Sequence, residues 1–306
     1  MNKFYKFSFF TTIATYLLIF IGGLVRVSGA GLGCPDWPTC FGRWIPPTSI
    51  DQVPADMVDQ FNITLAWIEY SNRFCGMLVG LLILTVAIWA ILKFRDNKKI
   101  LYPACSAAIL TAITGLQGAK VISSMLEPVI ITVHMLLALL IVSLMIYTTA
   151  QAYYHLHPEK PTSKLTKNMS GQVKMLWIFG FIQILLGTQV RSTIEHLMRQ
   201  FPDLDSLGWL SKVGMLNHLH MTVGVIVVAY TFHVAVKLLK EKEKLTTLAH
   251  KTVLFLMVAV SLQLLIGITF MIIATQPITQ VFHLWVASLF IGSVLLLYLS
   301  IKRLEA

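Results

Sequence analysis

Four strongly polar residues lie early in otherwise apolar stretches of this sequence: Asn72, His134, His220 and His283. An ionisable or strongly polar group inside an apolar helix is costly, and it is usually retained where it faces other helices and has a function. Imidazole nitrogen is a common protein donor to haem iron. The residue types therefore predict an iron macrocycle held between two helices, with His134, His220 and His283 as ligands.

A single buried histidine in a membrane helix could equally form a hydrogen bond to a neighbouring helix. His134 and His283 occupy matched positions in an internal repeat, and His220 has a similar depth, which favours ligation. His218 lies two residues from His220 and points elsewhere, so we predict an interfacial or supporting group. His233 is predicted to be structural.

Glycines and basic residues near these positions suit the same ligand. Gly76 follows Asn72 by four residues and Gly224 follows His220 by four, so each glycine shares a helical face with the polar residue. A missing side chain would let a flat macrocycle lie against the backbone. Haem propionates are anionic, and basic residues at the outer helix ends would bind them. These basic residues are Arg26, Arg73, Lys120 and Arg191.

Glu69 lies one turn before Asn72 on the same predicted helical face. One interpretation is a solvated acid at a helix amino terminus, which the helix dipole stabilises by up to about 1 kcal/mol. The other is a catalytic proton acceptor or orienting group beside a bound ligand. We favour the catalytic interpretation.

The four cysteines are of two kinds. Cys34 and Cys40 lie in the segment CPDWPTC of the first predicted outer loop, in an oxidising compartment where a disulfide can persist. Their short separation makes closure feasible without requiring it. Cys75 and Cys105 lie inside predicted helices and are expected to be small core residues.

Membrane-spanning helices must position these residues. The chain has 306 residues, is 56% hydrophobic and only 12% charged, a balance that a water-soluble surface could not have. The uncharged runs reach the roughly 20 residues that a spanning helix needs. The last run, 252–301, is long enough for two helices, which we predict to end near Ala274 and begin near Ile278. The prediction is eight spans, the first of them retained rather than cleaved as a signal peptide.

An internal repeat divides the chain. Two similar four-helix units are predicted at 1–155 and 173–306, joined by a cytoplasmic linker at 156–172. Both units begin on the same side, so the predicted fold is an all-α integral membrane protein of two parallel pseudo-repeated four-helix bundles. The matched pairs are Gly118 and Gly267, Pro128 and Pro277, His134 and His283, Gly22 and Gly187, Arg26 and Arg191, Asn72 and His220, and Gly76 and Gly224.

Basic residues predict the orientation. Placing the amino terminus in the cytoplasm gathers most of the 24 Lys and Arg residues on one side, so both termini are expected to be cytoplasmic. The polar helix residues then lie toward the outer face. The net charge of +10 follows from this topology, with a lesser attraction to anionic membrane lipid, and needs no nucleic acid.

Several motifs carry a family resemblance: GGLVRVSGAGLGCPDWPTCFG, WIEYSNRFCG, GLQGAKV, EPVIITVH, LGTQVRST, HLHMTVG and QPITQVFH. Together they make the chain resemble the haem A synthases over nearly its whole length. The resemblance implies an oxidoreductase of the bacterial inner membrane. Its reaction would be oxidation of the C8 methyl group of haem O to the formyl group of haem A for cytochrome oxidase.

The resemblance also implies a division of labour. The carboxy-terminal unit would hold a permanent haem b between His220 and His283, and the amino-terminal unit would receive haem O near Glu69 and His134. Cys34 and Cys40 match a redox-active pair of the family. The remaining assignments are Asn72, Gly76 and Arg73 to the substrate site, and Arg26, Lys120 and Arg191 to the propionates.

The expected partners are haem O, the synthase that makes haem O, cytochrome oxidase during its assembly, and membrane lipid. A homo-oligomer is compatible with the sequence. A rival function is a b-type cytochrome that passes electrons between a quinol and a membrane partner, but that function would favour two equivalent pairs of histidines. A third hypothesis is a transporter. Histidines near the outer face, on helical faces lined by glycine, suit a bound macrocycle better than a transport pathway through the middle of the membrane.

The sequence departs from the family pattern at two places. Asn72 stands where the family usually has histidine, and a carboxamide is a poor iron ligand. We therefore expect His134 to hold the substrate iron, with the other axial position open or weakly filled; alternatively, another side chain supplies the ligand. The second departure is in 193–215, which lacks the second cysteine pair that some members carry.

Overall fold

The computed structural model describes residues 1–157, 165, 168–272 and 276–305. Apolar runs form helices because the backbone groups must be satisfied within the segment when no water is present. The described residues form α1 (Asn2–Val27), α2 (Ile63–Lys93), α3 (Lys98–Ser123), α4 (Pro128–Leu156), α5 (Met169–Gln200), α6 (Ser206–Val213), α7 (Met215–Lys240), α8 (Thr247–Ile272) and α9 (Pro277–Glu305).

Every helix except α6 is long and apolar enough to cross a membrane, so the predicted count of eight spans is confirmed. Large apolar side chains lie on the outside, for example Leu92 at 71% and Leu116 at 68% exposure, as contact with lipid requires. The chain is thus an all-α integral membrane protein. The short helix α6 was not predicted; Asp205 caps it by accepting a hydrogen bond from the Gly208 amide at 2.8 Å.

The amino-terminal unit, Met1–Leu156, contains α1 to α4. Its helices pack as a ring in which α1 and α3 each contact both α2 and α4. Phe4, Ile100 and Met145 are fully buried in its core. The hydroxyls of Ser8 and Thr149 lie 2.6 Å apart and join α1 to α4 through a buried hydrogen bond.

The carboxy-terminal unit, His157–Ala306, contains α5 to α9. Its spanning helices form a ring of the same order, in which α5 and α8 each contact both α7 and α9. Leu176, Leu256 and Leu297 lie in its core. This shared order of neighbours is compatible with the predicted repeat, which stays a prediction.

The predicted start of the last helix is confirmed to within one residue. α9 begins at Pro277 rather than Ile278, because proline suits the first position of a helix, where no backbone donor is needed. The predicted end near Ala274 lies outside the described residues, as does most of the predicted linker 156–172. Within that linker, α5 already begins at Met169.

Candidate functional site

His220 and His283 face one another inside the carboxy-terminal unit. His220 lies on α7 and His283 on α9, and both helices pack against α5 and α8, so the two imidazoles meet across the bundle. Their ring centroids are 6.5 Å apart, with an angle of 71° between the ring planes. This separation leaves room for one metal ion with about 2 Å to a nitrogen of each ring.

The polar atoms of this pair fit such a ligand. Nδ1 of His220 and Nδ1 of His283 are buried and have no hydrogen-bond partner among the described residues. A buried polar atom without a partner costs about 1–3 kcal/mol, so a native site that keeps two of them has room for something that binds nitrogen. The described residues include no group of three or more His, Cys, Asp or Glu that could hold a bare metal ion. Two facing imidazoles are a ligand set that suits haem iron.

Small residues let the imidazoles pack closely against the neighbouring helices. A Cβ atom on Gly187 of α5 would lie 3.0 Å from Cε1 of His220, so a side chain there would push the ring. A Cβ atom on Gly267 of α8 would lie 4.0 Å from Cε1 of His283, an ordinary van der Waals contact. The ring of Phe270 packs edge-on against His283, with centroids 5.3 Å apart.

Two glutamines that sequence reasoning missed bind the backbone of these histidines. The Gln183 side-chain amide donates to the carbonyl oxygen of His220 at 2.9 Å. The Gln263 amide donates to the carbonyl oxygen of His283 at 2.6 Å. Their residue type could have indicated these contacts in the sequence, because a glutamine inside an apolar helix is costly unless its amide finds a hydrogen-bond partner.

The interpretation of Gly224 needs correction. We expected its missing side chain to let a macrocycle lie against the backbone. A Cβ atom there would instead lie 2.9 Å from Nε2 of Gln183, because the amide occupies this space on its way to His220. Gly76, its predicted counterpart, has no heavy atom within 4 Å of an added Cβ and so faces open space.

In the amino-terminal unit, His134 lies on α4 and Asn72 on α2, again on helices that share two neighbours. Nδ1 of His134 is buried and has no partner among the described residues. Oδ1 of Asn72 lies 3.9 Å from where a Cβ on Gly22 would be, so Gly22 faces Asn72 as Gly187 faces His220. The two units therefore place their matched polar residues against a glycine of the first spanning helix.

Glu69 is buried and fully engaged with the loop between α1 and α2. One carboxylate oxygen, Oε2, accepts a hydrogen bond from the backbone amide of Cys34 at 2.8 Å. The other, Oε1, lies 2.5 Å from a guanidinium nitrogen of Arg73, one turn later on α2. Only 5% of the Glu69 surface is exposed, which rules out the solvated-acid interpretation.

Arg73 holds the same loop, and the substrate-site role predicted for it stays a prediction. Its guanidinium donates to the carbonyl oxygens of Cys34 at 3.3 Å, Asp36 at 2.8 Å and Thr39 at 2.7 Å. Nε and Nη2 also donate to Glu69. An arginine side chain has five N–H donors, and these contacts use all of them. No donor of Arg73 is left for a propionate or another substrate group.

A disulfide closes the loop between Cys34 and Cys40. Inside it, Asp36 accepts hydrogen bonds from the Thr39 hydroxyl and from the amides of Phe41 and Gly42. Partial burial alone would raise the pKa of Asp36, but these hydrogen bonds outweigh it and hold the pKa below its usual value. The loop is therefore a folded element with its own polar centre.

Gly33 determines how closely this loop approaches α2. A Cβ atom there would lie 2.4 Å from the carbonyl oxygen of Leu65, a distance that no side chain could occupy. The backbone of Gly33 thus lies directly against the first turn of α2. Asn62 caps that turn by accepting a hydrogen bond from the Leu65 amide at 3.1 Å.

The basic residues predicted to bind propionates differ in their surroundings. Nη1 of Arg26 lies 3.3 Å from the sulfur of Met135, next to His134 in the chain. Arg191 forms a 2.9 Å ion pair with Glu195 on the same helix. Lys120 is exposed in the last turn of α3. Propionate binding by Arg26, Lys120 and Arg191 stays a prediction.

Eight spanning helices with imidazoles that meet across a bundle are typical of helical membrane proteins that bind haem. A model of the cytochrome oxidase assembly protein family matches residues 5–295. The chain belongs to this family.

Proteins of known name are similar to this chain. It is 25% identical over 185 residues to the haem A synthase of Shouchella clausii, covering 60% of this chain and 57% of that protein. It is 27% identical over 214 residues to the haem A synthase of Shewanella oneidensis, covering 68% and 62%. With the haem A synthase of Alkalihalophilus pseudofirmus it shares 25% identity over 230 residues, covering 73% and 72%. The matched part thus spans less than two thirds of the first two relatives.

Proposed function

We propose that this protein is a haem A synthase that oxidises the C8 methyl group of haem O to the formyl group of haem A. The observation that supports this proposal most is the facing pair His220 and His283 in one unit, with His134, whose Nδ1 is buried, in the other. Family membership and the names of the similar proteins support the same activity.

In this proposal His220 and His283 hold haem b as a permanent cofactor of the carboxy-terminal unit. Two buried imidazole nitrogens without partners and a centroid separation of 6.5 Å support this assignment. Haem b would supply a one-electron redox centre when bound. With the added oxygen counted as water, conversion of the methyl group to the formyl group releases four electrons and four protons, so an external oxidant must take part.

The substrate haem O binds in the amino-terminal unit in this proposal. His134 supplies the imidazole, and the open space at Gly76 gives room for the face of the macrocycle. Asn72 leaves the second axial position open or weakly filled, because a carboxamide binds iron poorly beside imidazole. Its amide can instead hydrogen-bond a polar group of the bound substrate.

Glu69 acts as the proton acceptor in this scheme. Arg73 donates two hydrogen bonds to Oε1 and the Cys34 amide donates one to Oε2, so Oε2 is the oxygen of Glu69 that takes the proton in this scheme. Because Glu69 lies one turn from Asn72 on α2, it is close to the proposed substrate position.

The proposed setting is the bacterial inner membrane, with both termini in the cytoplasm and the haem sites toward the outer face. The Cys34–Cys40 disulfide supports this orientation, since disulfides persist outside the cytoplasm. The synthase that makes haem O and the cytochrome oxidase under assembly are the proposed partners.

Incubation of the purified protein with haem O, followed by pigment extraction, tests this function. We expect haem A from the wild type and a loss of at least ~100-fold with His134→Ala, since the substrate would lose its ligand. His233→Ala is the matched control, because His233 is exposed and stacks on Tyr230 with centroids 6.1 Å apart. Haem O recovered unchanged with the wild type, under conditions where a quinol still reduces the protein, would support the electron-carrying cytochrome instead.

A further inference from the structure

Two side-chain amides bind the backbone of the two facing histidines, and nothing in the proposed function requires them. Gln183 reaches from α5 to the His220 carbonyl on α7, and Gln263 reaches from α8 to the His283 carbonyl on α9. Each amide thus connects a histidine-bearing helix to a neighbour that it packs against.

These hydrogen bonds are additional to the helical ones. A helix carbonyl already accepts the amide hydrogen of the residue four positions later, and its second lone pair is free for another donor. At His220 the later residue is Gly224, and its missing side chain gives the Gln183 amide access, since a Cβ would lie 2.9 Å from Nε2. At His283 the later residue is Ala287, which is also small.

The amino-terminal unit lacks these contacts at the matched positions. By the offsets of the repeat, Leu18 corresponds to Gln183 and Thr114 to Gln263. Leu18 has no side-chain donor, and the Thr114 hydroxyl donates to the Leu110 carbonyl of its own helix at 2.7 Å. Gln117 does reach α4, but at Ile130, one turn before His134, and over a longer distance of 3.4 Å.

We propose that Gln183 and Gln263 are positioning residues that fix the backbone of His220 and His283, so that the carboxy-terminal unit retains its haem. The amino-terminal unit has no equivalent bonds at the matched positions and can exchange the haem that it binds. The carboxy-terminal unit thereby holds a permanent cofactor, and the amino-terminal unit holds a substrate that is released as product. The identity of the bound group rests on the proposed function.

Replacement of each glutamine by methionine tests the proposal, because methionine keeps the length and removes the donor. Full-length protein is loaded with haem b, and the rate of haem transfer to excess apomyoglobin is measured. We expect about two- to twelve-fold faster release for Gln183→Met and for Gln263→Met, and a larger effect for the double variant. The electron paramagnetic resonance signal of the low-spin ferric haem should also shift, since it depends on the angle between the two imidazoles.

Matched controls lie on the same helices. Gln172→Met removes a glutamine amide from α5 that contacts Met169 and, on α7, Lys237, but no histidine. Ser261→Ala removes a hydroxyl from α8 that donates to Met257 of its own helix. Both controls should release haem at the wild-type rate and with the wild-type resonance signal.

Unchanged release and an unchanged resonance signal in both glutamine variants would overturn the proposal. Equal acceleration in the two controls would overturn it as well, because the effect would then be general loosening. A wild-type protein that binds no haem b would also overturn the proposal. Conversion of haem O is measured on the same preparations. If the glutamine variants release haem b faster than the wild type but the wild type makes no haem A, the proposed function is wrong and the role of the glutamines is upheld.

Discussion

Three half-buried histidines are central to the proposed function. Nδ1 of His134, of His220 and of His283 is buried without a partner among the described residues. An unsatisfied buried polar group costs about 1–3 kcal/mol, so these side chains weaken the bundles unless a ligand is bound. His233, in contrast, is exposed and stacked on Tyr230, which suits the structural role predicted for it.

Asn72 makes the two units chemically different although their geometry is similar. It lies next to Gly22, and His220 lies next to Gly187. The donor is not equivalent, because an amide oxygen is a much weaker ligand for haem iron than imidazole is. The iron opposite His134 is therefore expected to be high-spin.

Replacement of Asn72 by histidine should make this site resemble the other one. With haem O bound, we expect the optical spectrum of Asn72→His to shift from high spin toward low spin, since a second imidazole would fill the open axial position. Conversion of haem O should fall, because the iron then has no exchangeable position. Asn72→Gln is the control and should stay high-spin. An unaltered spectrum in Asn72→His would count against an open position in the native site.

The sequence predicted which residues matter better than it predicted what they touch. The depth of His134, His220 and His283 follows from where apolar runs begin, which is a local property of the chain. The contacts of Gln183 and Arg73 depend on which helices and loops become neighbours in the fold. That information is not present in local periodicity. Arg73 was therefore assigned to the substrate, although its five donors all bind the protein.

Helix α2 and the loop that precedes it are joined by shared side-chain contacts. Glu69 and Arg73 lie one turn apart on α2 and bind the loop at Cys34, Asp36 and Thr39. The proposed proton acceptor is thus fixed by the same contacts that hold the disulfide segment. Changes in the loop should therefore lower the rate of substrate oxidation by displacing Glu69. They should leave haem b binding in the carboxy-terminal unit unchanged.

Replacement of both disulfide cysteines by serine tests this coupling. The double variant Cys34→Ser and Cys40→Ser should lower haem A production several-fold, because the loop loses a cross-link worth about 2 kcal/mol and orients Glu69 less well. Its haem b spectrum should be that of the wild type. Trypsin cleavage after the exposed Arg43 would report opening of the loop and should become faster.

The arginine clamp should matter more for this loop than the disulfide does. Arg73→Leu removes five hydrogen bonds and leaves Glu69 buried without its cation, so cleavage after Arg43 should exceed that in the double-serine variant. Arg199→Leu, at the end of α5 in the other unit, is the control and should not alter cleavage. Loss of haem b in the double-serine variant would contradict the assignment of the loop to the substrate unit alone.

At the scale of the whole molecule, two compact units present the same ring of helices with different polar residues inside. The number of spans could be predicted because hydrophobic length determines it. The helix α6 and the folded outer loop could not, since both are stabilised by contacts between distant residues. The account assigns cofactor binding to one unit and substrate oxidation to the other.

The optical spectrum of the purified protein and its histidine variants tests this division most directly. The wild type, the His134→Ala variant and the His233→Ala control should each retain one low-spin haem b. The His220→Ala and His283→Ala variants should lose it, because each removes one of the two facing imidazoles. A full low-spin haem b spectrum in both His220→Ala and His283→Ala would contradict the account.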